Sequence, residues 1–159
     1  MIVYHGTVDV ILIPDVGHSK PYLDFGPGFY VTTYREQAEK WALRKSLRSN
    51  KPAMVNLYEM SQEVEGLQVL RFDTEDEEWL NFVCACRKGE DIHRQYDLII
   101  GNVANDDVFK TVDMYSRGLW DKERALKEIR YYKLNDQLCF SSQEAIDKLL
   151  TYKESYMVR

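Results

Sequence analysis

The sequence predicts an α+β domain, on three observations. Short apolar runs such as "IVYHGT", "FYVTT" and "LIIG" have the length and the β-branched content of strands. Longer segments carry apolar residues at helical spacing, as in Asp121 to Tyr132, where Ala125, Leu126 and Ile129 share one face. The two kinds of element alternate along 159 residues with no repeat, linker or low-complexity stretch, so one domain over 1–159 is expected.

Taken in order, Ile2 to Thr7 reads as a buried strand, Asp9 to Leu12 is ambiguous, and Pro14 to Pro21 reads as loop. Pro27 and Gly28 suggest a type II turn with the positive φ on Gly28, leading into a strand over Gly28 to Thr33. Tyr34 to Arg48 is a helix candidate with a narrow face of Ala38, Trp41, Ala42 and Lys45. Thr33 is its expected N-cap, with Glu36 completing a capping box. Strands are expected over Ala53 to Met60, Leu67 to Phe72 and Tyr96 to Gly101, the last central because it is apolar throughout. An acidic run, Asp73 to Glu78, opens a helix bearing Trp79, Leu80, Phe82 and Val83, where its charge complements the helix dipole. Asn105 to Tyr115 and Asp121 to Tyr132 read as helices, with Asn105 and Asp106 capping the first and Gly118 ending it. Leu138 to Phe140 is a brief strand. Ser141 or Ser142 then caps a last helix to Leu150, with Glu144 closing a capping box from Ser141.

Composition excludes several classes. A net charge of -5 argues against a chain-wide nucleic-acid surface, though the basic cluster from Arg35 to Lys51 leaves room for a local anion contact. No apolar run is long enough for a membrane span, and "MIVYHGTVDV" has no basic n-region or long h-region, so neither membrane nor secretory signal is expected. Cys84, Cys86 and Cys139 have neither framework nor zinc-ligand spacing, which reads as reduced structural thiols and a cytoplasmic location. No metal site is expected. The P-loop, the dinucleotide glycine fingerprint, the nucleophile elbow and the zinc helix are all absent.

What remains is three polar residues beside apolar strands: His5 in "YHGT", Tyr30 in "DFGPGFYVTTYREQAEKWA" and Gln137 in "NDQLCF". Each alone is most simply a packing or hydrogen-bonding residue. In this order the three blocks resemble the motif blocks of the ADP-ribosyltransferase superfamily. More closely they resemble a bacterial family of unknown function assigned to it, which "YDLIIGNVANDDV" and "NDQLCFSSQEAIDKL" also match. The resemblance implies a split β-sandwich with surrounding helices and an NAD cleft. It implies that His5, followed by Gly6 and Thr7, holds ribose hydroxyls, and that Tyr30 stacks on nicotinamide. Thr32 lies on the same side of the strand as Tyr30, and Gly28 lets backbone approach the cofactor closely.

The third position is usually glutamate, and here it is Gln137, which offers a dipole without a formal charge. Asp136, Asp106 and Glu59 are the carboxylates that could make up for it. Asn135, two residues earlier, matches an acceptor-recognition position. The expected activity is transfer of ADP-ribose from NAD, with loss of nicotinamide, to an unknown protein or nucleic acid. The resemblance also implies a toxin or effector role in a toxin–antitoxin or phage-defence locus, hence a small antitoxin partner. The alternative is a non-catalytic module that binds NAD or ADP-ribose, which the glutamine favours.

Overall fold

Two sheets and five helices make an α+β fold in the computed structural model, which describes residues 1–104, 106–129 and 135–159. Numbered in chain order, β1 (Ile2–Thr7), β3 (Met54–Met60) and β7 (Leu150–Met157) form an antiparallel sheet in the order β1-β3-β7. The second sheet runs β2-β6-β5-β4, from β2 (Phe29–Val31), β6 (Gln137–Phe140), β5 (Leu98–Gly101) and β4 (Val69–Arg71). Among the described residues only β4 and β5 pair in parallel. The fully buried β5 is interior, as its unbroken apolar run requires. The sheets meet where Tyr4 and Thr32 exchange backbone hydrogen bonds of 2.8 and 2.9 Å.

Three apolar layers hold these parts together. Between the sheets lie Val3 and Tyr58 from one and Phe29, Val31, Leu138 and Phe140 from the other. Helix α5 (Gln143–Leu149) adds Ile146 and Leu149 to that layer. Trp79 and Leu80 of α2 (Glu77–Arg87), Val112 of α3 (Asp106–Ser116) and Ala125 of α4 (Lys122–Ile129) cover the far face of the second sheet. Helix α1 (Arg35–Ser49) covers the outer face of the first sheet through Ala38 and Ala42. The approach is close because β1 presents Gly6 there: a Cβ on Gly6 would lie 1.9 Å from the Ala38 carbonyl oxygen. Small residues on both sides let backbone meet backbone.

The alternation of β2 sorts its side chains as the period of two demands. Phe29 and Val31 enter the layer between the sheets, and Tyr30 packs on the opposite face.

Several local expectations are corrected. The positive φ lies on Gly26 (78°), not on Gly28. The Leu23 carbonyl accepts the Gly26 N–H at 3.0 Å, so the turn closes before Pro27. Gly28 is glycine for space: its Cβ would fall 2.5 Å from Cys139 Sγ and 2.7 Å from the Phe140 oxygen. Thr33 does not cap α1. Tyr34 is the N-cap, without a side-chain bond, because the Thr33 hydroxyl donates to Asp136 instead. Of the two serines expected at the start of α5, Ser142 is the cap, accepting from the Ala145 N–H at 3.2 Å, so the capping box expected from Ser141 does not form. Asp76 caps α2, its carboxylate accepting from the Trp79 N–H at 3.0 Å. Asp9 to Leu12 is loop, and β7 has no counterpart among the expected elements. The cap expected at Asn105 and the helix end expected at Tyr132 lie outside the described residues, as does the Asp106 side chain.

Candidate functional site

A cleft of about 780 Å³ opens beside the junction of the two sheets, and His5, Tyr30 and Gln137 all line it. That volume falls within the range of small-molecule sites. One wall is the irregular segment between β1 and β2, which side chains tie down. Asn56 donates to the Asp9 carbonyl and accepts from the Ile11 N–H, both at 3.0 Å, and the Tyr58 hydroxyl donates to the Ile11 carbonyl at 2.7 Å. Gln143 bonds Val16 and Pro14, both at 3.2 Å, and the Gly28 N–H donates to Ser19 Oγ at 2.7 Å.

His5 sits on β1 with its ring stacked on Phe29, centroids 4.3 Å apart. Burial, and then the nearby Lys45 charge, push its pKa down to about 3. The ring is therefore neutral at physiological pH. Its Nδ1 is 2.6 Å from the Tyr30 carbonyl, an acceptor only, so Nδ1 carries the proton and Nε2 is left as an acceptor.

Tyr30 is held by its hydroxyl, which donates to the Gly26 carbonyl and accepts from the Phe25 N–H at 3.1 Å. Burial, foremost, raises its pKa well above the usual tyrosine value, so the phenol stays protonated. With the hydroxyl engaged, the ring is the part of Tyr30 left to meet a ligand.

Gln137, at the start of β6, is 4% exposed. Its Nε2 donates to Asp24 Oδ2 at 2.9 Å and, at 3.4 Å, to the Asn102 carbonyl. Asp24 in turn accepts from Arg87 Nε at 2.8 Å, from Arg87 Nη2 at 2.5 Å and from the Ala104 N–H at 2.9 Å.

A family model described as "Protein of unknown function (DUF3990)" matches residues 1–152. The chain belongs to the DUF3990 family. No curated protein matches it.

In this DUF3990 domain the remaining expected residues are placed as follows. Thr7 and Gly28 line the cleft with His5. Gly6 packs on α1, and its carbonyl accepts from Lys45 Nζ at 2.9 Å. Thr32 is fully buried, and its hydroxyl donates to Asp136 Oδ1 at 2.7 Å, which turns it away from the cleft. Asn135 Oδ1 accepts from the Val103 N–H at 2.7 Å, bracing the chain that follows β5. Of the expected substitute carboxylates, Asp136 is engaged by Thr32 and Thr33, and Glu59 pairs with the N-terminal amine at 2.8 Å. The carboxylate on Gln137 is Asp24, which the sequence reading passed over. Its place in "DFGPG", two residues before the turn glycine Gly26, was the available signal.

The basic cluster divides. Lys45 and Arg48 line the cleft with Lys20 and Trp41. Burial, then Lys20, lowers the Lys45 pKa. Arg35 pairs with Glu39 at 3.1 Å, outside the cleft, and Lys51 pairs at 3.2 Å with Asp9, which lines it. Cys84, Cys86 and Cys139 are free and buried. Among the described residues no cluster of His, Cys, Asp and Glu is arranged to hold a metal, and no helix is long and apolar enough to cross a membrane.

Proposed function

We propose that this DUF3990 domain is an NAD-dependent mono-ADP-ribosyltransferase. The observation that carries the reading is the convergence of His5, Tyr30 and Gln137 on one cleft, with the cationic side chains of Lys20, Lys45 and Arg48 lining the same cleft. In the reaction the bond between the ribose anomeric carbon and the nicotinamide nitrogen breaks, and nicotinamide leaves with the electron pair. Positive charge grows on the ribose, and an acceptor atom then attacks the anomeric carbon and gives up its proton.

Each side chain suits a part of this. The locked Tyr30 ring offers a face for the planar nicotinamide. Neutral His5 offers Nε2 to a ribose hydroxyl. Lys45, Arg48 and Lys20 suit the diphosphate. Gln137 offers an amide oxygen to the ribose as charge develops there. A toxin or effector acting in the cytoplasm on a macromolecular acceptor, with a small neutralising partner, follows from the superfamily resemblance.

The test is incubation with labelled NAD, with and without cell lysate as acceptor source. Released nicotinamide or transferred label is expected, and its loss in Tyr30→Ala. Absence of both products from the wild type removes the enzyme reading. The near-complete burial of Gln137 favours a second reading, a module that binds NAD without turnover. Calorimetric NAD binding with no nicotinamide released would select it.

A further inference from the structure

Glutamine in place of glutamate is the feature that speaks most against catalysis, and the groups bonded to it, among them the cleft-lining Asp24, answer that objection. A free primary amide presents a donor as readily as an acceptor. Gln137 does not have that freedom. Asp24 Oδ1 takes both Arg87 bonds, and Asp24 Oδ2 takes the Ala104 N–H and Gln137 Nε2. Each of these partners is a donor, and a carboxylate so surrounded accepts only. It would repel an amide oxygen, so the amide must turn its NH2 to Asp24 and its Oε1 away from it. The network is nearly dry: the side chains of Asp24 and Arg87 are 10% and 18% exposed. In such surroundings a misdirected polar group is costly.

The geometry points to Asp24, braced by Arg87, as a positioning residue that fixes the Gln137 amide with its oxygen toward the cleft. The pair thereby makes a neutral side chain serve as the acceptor that a glutamate supplies elsewhere. That the oxygen meets a ribose hydroxyl rests on the NAD reading above; the fixed orientation does not. Restoring the superfamily's usual glutamate should therefore harm the site. The Q137E change would set a second carboxylate about 3 Å from Asp24, and like charges that close disfavour each other. Moving the charge instead should work. With Asp24→Asn in the same chain, the new amide can donate to the new carboxylate while its oxygen still accepts from Arg87, and the bond given up is the one from the Ala104 N–H.

The experiment uses the full chain as wild type, Q137E, D24N and D24N/Q137E. Nicotinamide release should fall about 10- to 100-fold in Q137E, the range that follows when the partner behind a functional ligand is disturbed. It should recover about tenfold or more in D24N/Q137E by the same range. Rescue by the exchanged pair is what a merely structural role would not produce. If Q137E matches the wild type, or the double variant does no better than Q137E, the proposal is overturned.

A second readout needs no activity. In ¹⁵N-labelled protein the Gln137 side-chain amide protons should exchange slowly, and this protection should weaken in D24N, where the longer bond to the Asn102 carbonyl is what remains, while the rest of the spectrum is kept. Unchanged protection in D24N overturns the proposal whatever the NAD assay gives. A wild type that neither binds nor cleaves NAD removes the functional reading alone, and the amide protons still decide the positioning role.

Discussion

Replacing Gly6 with alanine separates packing from ligand binding at the residue after His5. The new Cβ would lie 1.9 Å from the Ala38 oxygen and 2.9 Å from the Ala42 nitrogen, both α1 backbone atoms. No rotamer relieves a clash with backbone. An ordinary C···O contact is about 3.3 Å, so α1 must retreat by roughly 1.4 Å. Overpacking of this kind costs about 3 kcal/mol, the upper part of the usual range. For a chain of this size, that lowers Tm by roughly 6–12 °C. The retreat also stretches the Lys45 bond to the Gly6 carbonyl and carries Trp41 and Arg48 away from the opposite wall. Calorimetric melting of Gly6→Ala beside wild type is the assay. An unchanged Tm would refute the packing argument. An unchanged Tm with lost NAD affinity would show that the glycine serves a ligand.

Arg87→Met should strand Asp24 and cost roughly 3–5 kcal/mol in urea unfolding, with D24N/R87M recovering part of it; a loss under about 1 kcal/mol would count against a stabilising pair. His5 carries a pH signature. Its pKa is lowered to about 3 by burial and then by Lys45, against an ordinary value of about 6.5. Its contribution to stability is thus full above about pH 6.5 and is lost as pH falls toward 3, because the unfolded chain takes the proton first. The urea midpoint should drop between about pH 7 and pH 5, and drop less in His5→Asn; equal slopes would contradict the assignment. Burial pushes the Cys86 and Cys139 thiols up to about 12, and Cys84 is raised too. Iodoacetamide at mild alkaline pH should leave the native protein unmodified and label all three cysteines after unfolding.

The sequence conveyed most where the signal is local. The central apolar run of β5, the acidic opening of α2 and the alternation that separates Phe29 from Tyr30 can all be read from neighbours in the chain. It failed where a distant partner decides. Thr33 looks like a cap until Asp136, 103 residues away, takes its hydroxyl. Strand β7 escaped notice because it lies on a sheet edge and carries Lys153 and Glu154 mid-strand. The register shifts between Leu57 and Tyr58, where Tyr58 pairs with Tyr152 but Leu57 with Glu154. The extra residue sends Tyr152 to the layer between the sheets and Tyr156 to the layer under α1, which breaks the period of two. A resemblance singled out His5, Tyr30 and Gln137, which line one cleft, whereas nothing in the sequence singled out Asp24 and Arg87. Their pairing spans 63 residues and leaves no spacing to read.

The wall of the cleft has a consequence for how such a domain can diversify. Between β1 and β2 the chain is fastened by side chains of Asn56, Tyr58 and Gln143, which grip backbone groups and ignore the identity of the residues they hold. Val10, Leu12 and Ile13 on that wall point largely to solvent and can be exchanged without touching those fastenings. A new preference for what enters the cleft can then arise from a handful of loop positions, while the groups that would do the chemistry stay on the sheets.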